Sequence, residues 1–282
     1  MYADDCQIYT TCDAADIDQS ILGMERLISD IRHWYTQNML KLNDSKTELL
    51  VVSSKFREGV LDKCIKIGNS TIPSSPSIRN LGVFMDPNYT MVPHVNNLVR
   101  TAFLKIRELS YYRRYLTNES AKTAVHAYIT SRLDYCNSLL YGLPDGQISK
   151  LQSVMNAAAR LVTKTRKFDH ISPVLKELHW LPVKFRTEFK ILLLVYKCIN
   201  GLAPVYLNNR LCLKPNKGLR SDDKKYLSVP VTKLKTKTYG DRCFSIAGPN
   251  LWNQLPDYIR LSKSVDVFKI NLKTHLFKKY FK

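Results

Sequence analysis

The chain has 282 residues, an apolar content of 45%, and 43 Lys and Arg against 24 Asp and Glu. The apolar content is sufficient for a sizeable core, which excludes a chain that is disordered throughout. The net charge of +19 favours a polyanionic partner, and residues 51–282 carry 39 of the cations. A solvated basic surface without a partner is the alternative interpretation.

The cysteines, the first residues and the apolar runs indicate the cellular compartment of the protein. The seven cysteines are scattered and form no C-x-x-C pair, which argues against a disulfide framework or a zinc site. The first residues are acidic, unlike a secretory signal. The longest apolar run, residues 191–196, is far shorter than the roughly 20 residues of a membrane span and predicts a buried helix segment. We therefore expect an intracellular protein, nuclear or cytoplasmic, without a membrane span.

Two adjacent carboxylates, Asp4 and Asp5, open the chain and precede an apolar segment, residues 6–11, that we predict to be a strand. Paired carboxylates concentrate negative charge that Mg²⁺ neutralises well. In phosphoryl transfer, two such ions stabilise the attacking and leaving oxygens. Taken alone, an Asp-Asp pair is more typical of a solvated turn or of a helix start.

The next elements alternate between helix and strand patterns. Apolar residues at helical spacing predict a helix of about 20 residues, which Asp16 caps; these are Ile17, Ile21, Met24, Ile28 and Ile31. We predict a buried strand at residues 48–53 and another strand at residues 78–85. Residues 65–72 predict a hairpin that turns at Gly68-Asn69.

From residue 93 to about residue 164 the pattern is helical and predicts a bundle. Apolar residues of the first helix share one face, Thr117 starts the second, and the third begins near Ile148. A cluster near the end of the first helix mixes cations with aromatic rings: Arg107, Tyr111, Tyr112, Arg113 and Arg114, followed by Tyr115. Guanidinium groups bind phosphate and tyrosine rings stack on bases, so this cluster is a candidate nucleic-acid contact. Half-buried core tyrosines at a helix end are the alternative.

A second basic cluster closes the third helix. Arg160 and Lys164, followed by Arg166 and Lys167, are candidates for phosphate contacts. Cations at this position also stabilise the negative end of a helix dipole, and the sequence does not separate the two roles.

The remaining residues predict helices separated by a basic loop. We expect a helix from residue 170, a break at Pro182 and a long helix over residues 184–200 that Gly201 ends. Residues 214–242 predict an exposed loop with a short strand at residues 226–229; its candidate phosphate contacts are Lys224, Lys225, Lys233, Lys235 and Lys237. A basic amphipathic helix near the C-terminus could lie on a polyanion or membrane surface, but docking on its own domain is favoured.

Seven ordered blocks, together with the YADD tetrapeptide at residues 2–5, resemble the reverse transcriptases of LINE-type non-LTR retrotransposons of the jockey-like superfamily. The blocks are HWYTQNMLKLN (33–43), KTELL (46–50), NLGVFMD (80–86), SRLDYCN (131–137), YGLP (141–144), the run 170–182 that contains LHWLP (178–182), and GDR (240–242) with Phe244 and PNLWNQLP (249–256). Cys6 departs from the family, which usually has Thr there.

The resemblance implies an α+β fold in three parts. Residues 1–90 would be a remnant of the polymerase palm with short strands and a helix, residues 91–167 a helical thumb, and residues 168–282 a mixed, mostly helical, basic C-terminal domain. In the family the YADD turn binds catalytic Mg²⁺ together with an aspartate from an earlier strand. Because that strand is not in this chain, we expect Asp4 and Asp5 to be vestigial and residues 1–85 to pack less well than the remainder.

Two functions remain open, and whether the chain is an enzyme is uncertain. The first is a truncated reverse transcriptase, inactive alone, that keeps charge-based RNA or DNA binding without sequence preference. The alternative is a fragment of a longer, active RNA-directed DNA polymerase whose true start lies upstream. Mg²⁺ would be the cofactor of the parent family and would not be expected on this chain alone.

Overall fold

The computed structural model describes residues 5–54, 62–214, 225–230 and 240–281. The chain forms two compact units, Met1–His94 and Val95–Lys282. The described residues are mainly helical and include two small antiparallel sheets, which agrees with the predicted α+β class. Among these residues, no helix has both the length and the apolar character needed to cross a bilayer. The division into palm, thumb and C-terminal domain stays a prediction.

The first unit begins with a long helix, as predicted. A 3₁₀ turn at Ala14–Asp16 leads into α1 (Ile17–Gln37). Asp16 occupies the N-cap position, although its side chain makes no capping hydrogen bond. The apolar face of α1 packs through Ile21, Met24 and Ile28 against a small buried cluster. A second 3₁₀ turn covers Asp44–Lys46.

Two hairpins form the sheets of this unit. Strands β1 (Cys64–Ile67) and β2 (Ser70–Pro73) pair antiparallel, with Ile67 opposite Ser70. The predicted turn at Gly68-Asn69 is confirmed, and Gly68 adopts a φ of +60°, which glycine tolerates without a steric penalty. Strands β3 (Ile78–Asn80) and β4 (Val83–Met85) form the second hairpin.

Three strand predictions in this unit were wrong. Residues 78–85 form a hairpin instead of one strand, because Leu81 (φ +45°) and Gly82 (φ +84°) are both left-handed and reverse the chain. Residues 48–53 make only an isolated parallel bridge, between Leu49 and Ser74. No strand forms at residues 6–11. A short extended segment needs a hydrogen-bonded neighbour to become a strand, and sequence alone does not show whether one is available.

The loop after β4 is organised by Asp86, which is buried. Its carboxylate accepts hydrogen bonds from the backbone amides of Thr90 (2.9 Å) and Met91 (2.8 Å) and from the Thr90 hydroxyl (2.9 Å). These bonds fix the chain directly before helix α2 (Val92–Tyr112). His94, in the first turn of α2, is also buried and its Nδ1 accepts a hydrogen bond from the Phe84 amide at 3.4 Å.

The second unit is helical. Its elements, with α2, are a 3₁₀ turn at Arg113–Tyr115, α3 (Asn118–Val125), a π-helical turn at His126–Thr130, α4 (Ser131–Asp134), a 3₁₀ turn at Asn137–Leu140, α5 (Asp145–Thr163), α6 (Ile171–Glu177), α7 (Val183–Ile199), α8 (Val205–Asn208), α9 (Phe244–Asn253), α10 (Asp257–Arg260) and α11 (Val265–Tyr280). The hydroxyl of Thr117 caps α3 by accepting from the Ser120 amide at 3.1 Å, which confirms the predicted start. Gly201, with a φ of +67°, follows α7 as predicted.

The core of the second unit forms around α7. Its apolar run is buried, as predicted, and packs against α9 and α11; the buried residues include Ile191, Leu192, Val195, Tyr196, Trp252, Phe268, Leu272 and Leu276. The rings of Tyr196 and Phe268 stack with centroids 4.3 Å apart, and the Tyr196 hydroxyl donates to the Ser262 carbonyl at 2.8 Å. Helix α11 therefore docks on its own unit, which confirms the favoured interpretation of this basic helix.

The short segment 225–230 departs from the exposed loop that we predicted. Leu227 is only 1% exposed and forms a single antiparallel bridge with Leu213 instead of a strand over residues 226–229. The Asn253 side chain accepts from the Leu227 amide and donates to the Leu227 carbonyl, each at 2.9 Å. The Trp252 indole donates to the Lys225 carbonyl at 2.8 Å. Burial of Leu227 and these hydrogen bonds together attach the segment to the core.

The two units differ in how much apolar surface they bury. The described cluster in the first unit has three buried members, Leu49, Ile65 and Ile67, and no residue of α1 is fully buried. The cluster around α7 has many more, including the fully buried Trp252. Since burial of apolar surface is the main stabilising contribution, the first unit packs less well, as we expected from the sequence.

We predict that Trp252→Ala destabilises the second unit by about 3–5 kcal/mol, because it removes a fully buried ring and leaves the Lys225 carbonyl without its donor. Urea unfolding followed by circular dichroism measures the change. Trp34, which is 56% exposed, provides the matched control, and Trp34→Ala should change stability by less than about 0.5 kcal/mol. Equal losses of stability in the two variants would contradict the assignment of Trp252 to the core.

We predict that the first unit loses stability as the pH falls from about 7 to 5. Burial lowers the pKa of His94 below its usual value near 6.5. The unfolded chain therefore binds a proton at a higher pH than the folded chain, so stability is complete above pH 6.5 and declines as the pH falls toward the folded pKa. Denaturation midpoints over this pH range should show a smaller slope in His94→Gln. His33→Gln, at an exposed position, should keep the wild-type slope.

Candidate nucleic-acid interface

The end of α2 presents an exposed surface of tyrosine and arginine side chains. We define the Tyr–Arg surface as Arg107, Tyr111, Tyr112, Arg114 and Tyr115. The three tyrosines are 63%, 62% and 73% exposed in chain order. Arg107 and Tyr111 are four residues apart on α2 and lie on the same face. The Arg114 guanidinium lies 4.8 Å from the centre of the Tyr115 ring, within range of a cation–π interaction.

Arg113 does not belong to this surface, which corrects the prediction for that residue. Its side chain is buried, and its guanidinium donates to the carbonyls of Leu161, Val162 and Leu116, each at 2.7 Å, and to the Asn118 side chain. Two of those carbonyls belong to the last turn of α5, where backbone acceptors have no partner within the helix. Arg113 therefore caps α5, and its hydrogen-bonding capacity is used inside the protein.

The Arg113 hydrogen bonds bring the two predicted basic clusters to the same end of the helical unit. Lys164 follows α5 directly in a left-handed conformation (φ +58°) and is exposed, as are Arg166 and Lys167. Phe168 is 92% exposed, and the Lys167 ammonium lies 5.8 Å from its ring centre. The end of α5 thus adds cations and an aromatic ring beside the end of α2.

Arg160 has a structural role within the second cluster. Its Nε donates to the Arg166 carbonyl at 3.3 Å and its Nη2 donates to the Asp169 carbonyl at 3.1 Å. Asp169 in turn accepts from the Arg166 amide at 3.1 Å. These bonds hold the turn after α5, so Arg160 positions the neighbouring exposed cations.

The predicted lysine contacts of residues 214–242 mostly fall outside the described residues. This holds for Lys224, Lys233, Lys235 and Lys237. Lys225 is half-buried, and its ammonium lies 3.4 Å from the side-chain oxygen of Asn200. Its backbone carbonyl, as described above, fixes the segment to Trp252.

The carboxylates of the YADD turn are only partly described. Asp4 lies outside the described residues, and Asp5 is exposed. Within residues 5–54, 62–214, 225–230 and 240–281, no three His, Cys, Asp or Glu side chains come together in a group that could hold a metal ion. The interpretation that Asp4 and Asp5 once bound Mg²⁺ stays a prediction.

A cleft of about 650 Å³ in the second unit contains functional groups that the sequence did not reveal. Its walls come from the YGLP block, the start of α5, α7, the GDR block, α9 and the end of α11. Glu188 of α7 lines the cleft although it is only 7% exposed. Burial raises the pKa of its carboxyl group, and Lys279 and Lys184 partly oppose that rise. In the sequence Glu188 lies among Lys184, Arg186 and Lys190, so no local signal marks it as buried.

Comparison of the chain with protein-family models, with curated proteins and with solved structures found no match. The resemblance to reverse transcriptases therefore rests on the sequence blocks alone.

We predict that substitution of Arg113 destabilises the fold, whereas substitution of the adjacent Arg114 has little effect on stability. Arg113→Ala should lower the free energy of unfolding by about 3 kcal/mol, because it leaves buried carbonyls at the end of α5 without donors. Arg114→Ala should change it by less than about 0.5 kcal/mol, since that side chain is exposed. Urea denaturation of both variants tests the assignment, and it would be wrong if Arg114→Ala proved the more destabilising.

Proposed function

We propose that this chain binds RNA or DNA without sequence preference and represents the primer-template-holding part of a non-LTR retrotransposon reverse transcriptase. The observation that carries the proposal is the Tyr–Arg surface, where three exposed aromatic rings lie beside arginines at one end of a helical bundle. In this proposal the first unit corresponds to the palm, helices α2–α5 to the thumb, and the later helices to the C-terminal domain.

The chemistry of the Tyr–Arg surface suits a nucleic acid with little base specificity. A tyrosine ring can stack on any base and contributes about 1–3 kcal/mol per base. The guanidinium groups of Arg107 and Arg114 offer paired donors that match phosphate oxygens. Contacts to phosphates and to base faces position a strand without reading its sequence. Lys164, Arg166 and Lys167, at the end of α5, extend the positive charge.

The exposure of Tyr111, Tyr112 and Tyr115 also favours a binding partner for this surface. Large apolar rings that lie together on a surface are typical of binding sites. The second unit already has a large core around α7, and Tyr111, Tyr112 and Tyr115 remain outside it. The overall excess of Lys and Arg favours a polyanion among the possible partners.

We predict that the purified chain binds a primer-template duplex and single-stranded RNA with an affinity that falls steeply as the salt concentration rises. Fluorescence anisotropy over a salt series measures both affinity and slope. Tyr111→Ala and Tyr112→Ala should each weaken single-strand binding about 5- to 100-fold at constant salt, because each removes a stacking surface. Arg114→Ala should reduce the salt slope by about 1, the loss of one phosphate contact.

Tyr206, which is 70% exposed on α8, provides the matched control, and Tyr206→Ala should leave binding unchanged. Salt-independent binding, or equal losses in Tyr111→Ala and Tyr206→Ala, would contradict a nucleic-acid role for the Tyr–Arg surface.

A parallel assay distinguishes a binding module from a polymerase. Catalysis by positioned metal ions requires several carboxylates that converge on the reacting phosphate. We propose that the chain alone does not extend a primer on an RNA template with Mg²⁺. Extension that is abolished by Asp4→Ala would instead identify the chain as an active polymerase, whatever its behaviour in the binding assay.

A further inference from the structure

Phe168 lies outside the core of the second unit and is almost fully exposed. Its exposed fraction is 92%, and no large apolar side chain in the described part of this unit is more exposed. A single exposed ring is common on protein surfaces, so the neighbours of Phe168 decide whether it has a role. Those neighbours are the cations after α5 and, beyond them, the Tyr–Arg surface.

Two arginines attach Phe168 and the Tyr–Arg surface to the same end of α5. The Arg113 guanidinium donates to the Val162 carbonyl at 2.7 Å and holds the end of α2 there. The Arg160 guanidinium donates to the Asp169 carbonyl at 3.1 Å, so the turn after α5 folds back on the last turn of the helix. Phe168 follows Val162 by six residues, which limits their separation to roughly 20 Å. Four exposed aromatic rings therefore lie at one end of the helical unit.

Both segments place a cation beside an exposed ring. The Arg114 guanidinium lies 4.8 Å from the centre of the Tyr115 ring, and the Lys167 ammonium lies 5.8 Å from the centre of the Phe168 ring. A nucleotide combines a flat base with an anionic phosphate. A ring that stacks on a base, with a cation next to it for the phosphate, matches one such unit.

The charges near these rings favour an anion even when every carboxylate is included. Residues 105–119 and 160–169 hold eight Lys and Arg against three Asp and Glu. Of the three carboxylates, Glu108 pairs with Lys105 at 2.6 Å, and Asp169 accepts from the Arg166 amide at 3.1 Å. The excess of positive charge disfavours a cationic ligand. An acidic peptide would match the charge but would leave four flat rings without planar partners.

The four rings distinguish an unpaired strand from a duplex. In a duplex the faces of the bases cover one another, and only the terminal pair has a free face. A side-chain ring can therefore stack on successive bases only where they are unpaired. A duplex on this surface would keep its phosphate contacts, which salt weakens, and would lose the stacking contacts.

We propose that the Tyr–Arg surface together with Phe168 binds an unpaired strand of about four nucleotides, one for each ring. A duplex is held there only through its phosphates. Phe168 is thus a further binding residue, beside the three tyrosines. This assignment rests on the nucleic-acid binding proposed above and specifies the class of nucleic acid.

Fluorescence anisotropy with a strand that lacks self-complementarity, and with the blunt duplex formed from it, tests the preference. The full chain should bind the single strand at least about tenfold more tightly, because stacking adds to the phosphate contacts. The preference should grow as salt rises, since the logarithmic salt slope per phosphate is about −0.9 for a duplex and about −0.7 for a single strand. Duplex binding that is equal or tighter at every salt concentration would overturn this inference and leave the proposed function intact. Absence of binding to either would overturn both.

Duplexes with single-stranded overhangs measure the length of the site. Affinity should rise with overhang length and level off at about four nucleotides. Overhangs of RNA and of DNA should agree within about fivefold, because ring stacking and phosphate contacts do not need a 2′-hydroxyl group. An affinity that does not depend on overhang length, or that depends strongly on the sugar, would contradict the stacking contacts.

Phe168→Leu is the decisive variant, because it keeps an apolar side chain and removes only the ring. At a position that is 92% exposed, loss of folding does not explain its effect. Affinity for the single strand should fall about 5- to 100-fold, whereas affinity for the blunt duplex should stay unchanged. Phe168→Trp should keep the wild-type affinity for both.

Tyr258, which is 60% exposed on α10, provides the matched control, and Tyr258→Ala should leave both affinities unchanged. Unchanged single-strand affinity in Phe168→Leu would overturn the role of Phe168. Equal losses for single strand and duplex in that variant would overturn the stacking mechanism, although nucleic-acid binding itself would stand.

Discussion

One buried guanidinium, that of Arg113, organises the candidate interface of the helical unit. It lies at the end of α5 and donates to two carbonyls there and to the carbonyl of Leu116, which follows the 3₁₀ turn after α2. Its positive charge also lies at the negative end of the α5 dipole, where a cation is stabilising. Because Arg113 faces inward, its neighbours Tyr112 and Arg114 face outward. The exposed tyrosines and the cations after α5 are held together by an interaction that contacts no ligand.

The sequence predicted the helices well, because their signals are local. The spacing of Ile17, Ile21 and Met24 defines α1, Thr117 defines the start of α3, and the apolar run in α7 is long enough to be unambiguous. The turn at Gly68-Asn69 was equally local, since glycine tolerates the left-handed conformation found there.

The failures share one physical cause, which is dependence on a distant partner. The segment around Leu49 had a strand-like pattern but found a single bridging neighbour. Leu227 is buried because Asn253 and Trp252 bind its segment, and neither contact has a signal in the loop itself. In the same way, nothing local distinguishes Arg113 from Arg114. Only the position of the α5 carbonyls decides which of the two is buried. The burial of Glu188 was not predicted because it too depends on segments that are distant in the sequence.

The π-helical turn at His126–Thr130 has a consequence for the phase of the helix that contains it. Four buried residues, Ala121, Val125, Ile129 and Leu133, recur at intervals of four. An α-helix advances about 100° per residue, so each interval of four would overshoot a full turn by about 40°. Over three intervals Leu133 would rotate about 120° away from the core. The wider π turn absorbs this excess and keeps all four side chains on one face. Deletion of one residue in this turn would restore ordinary helical winding over the same three turns, so Leu133, and the Asp134 that pairs with Arg186, would keep their rotational position.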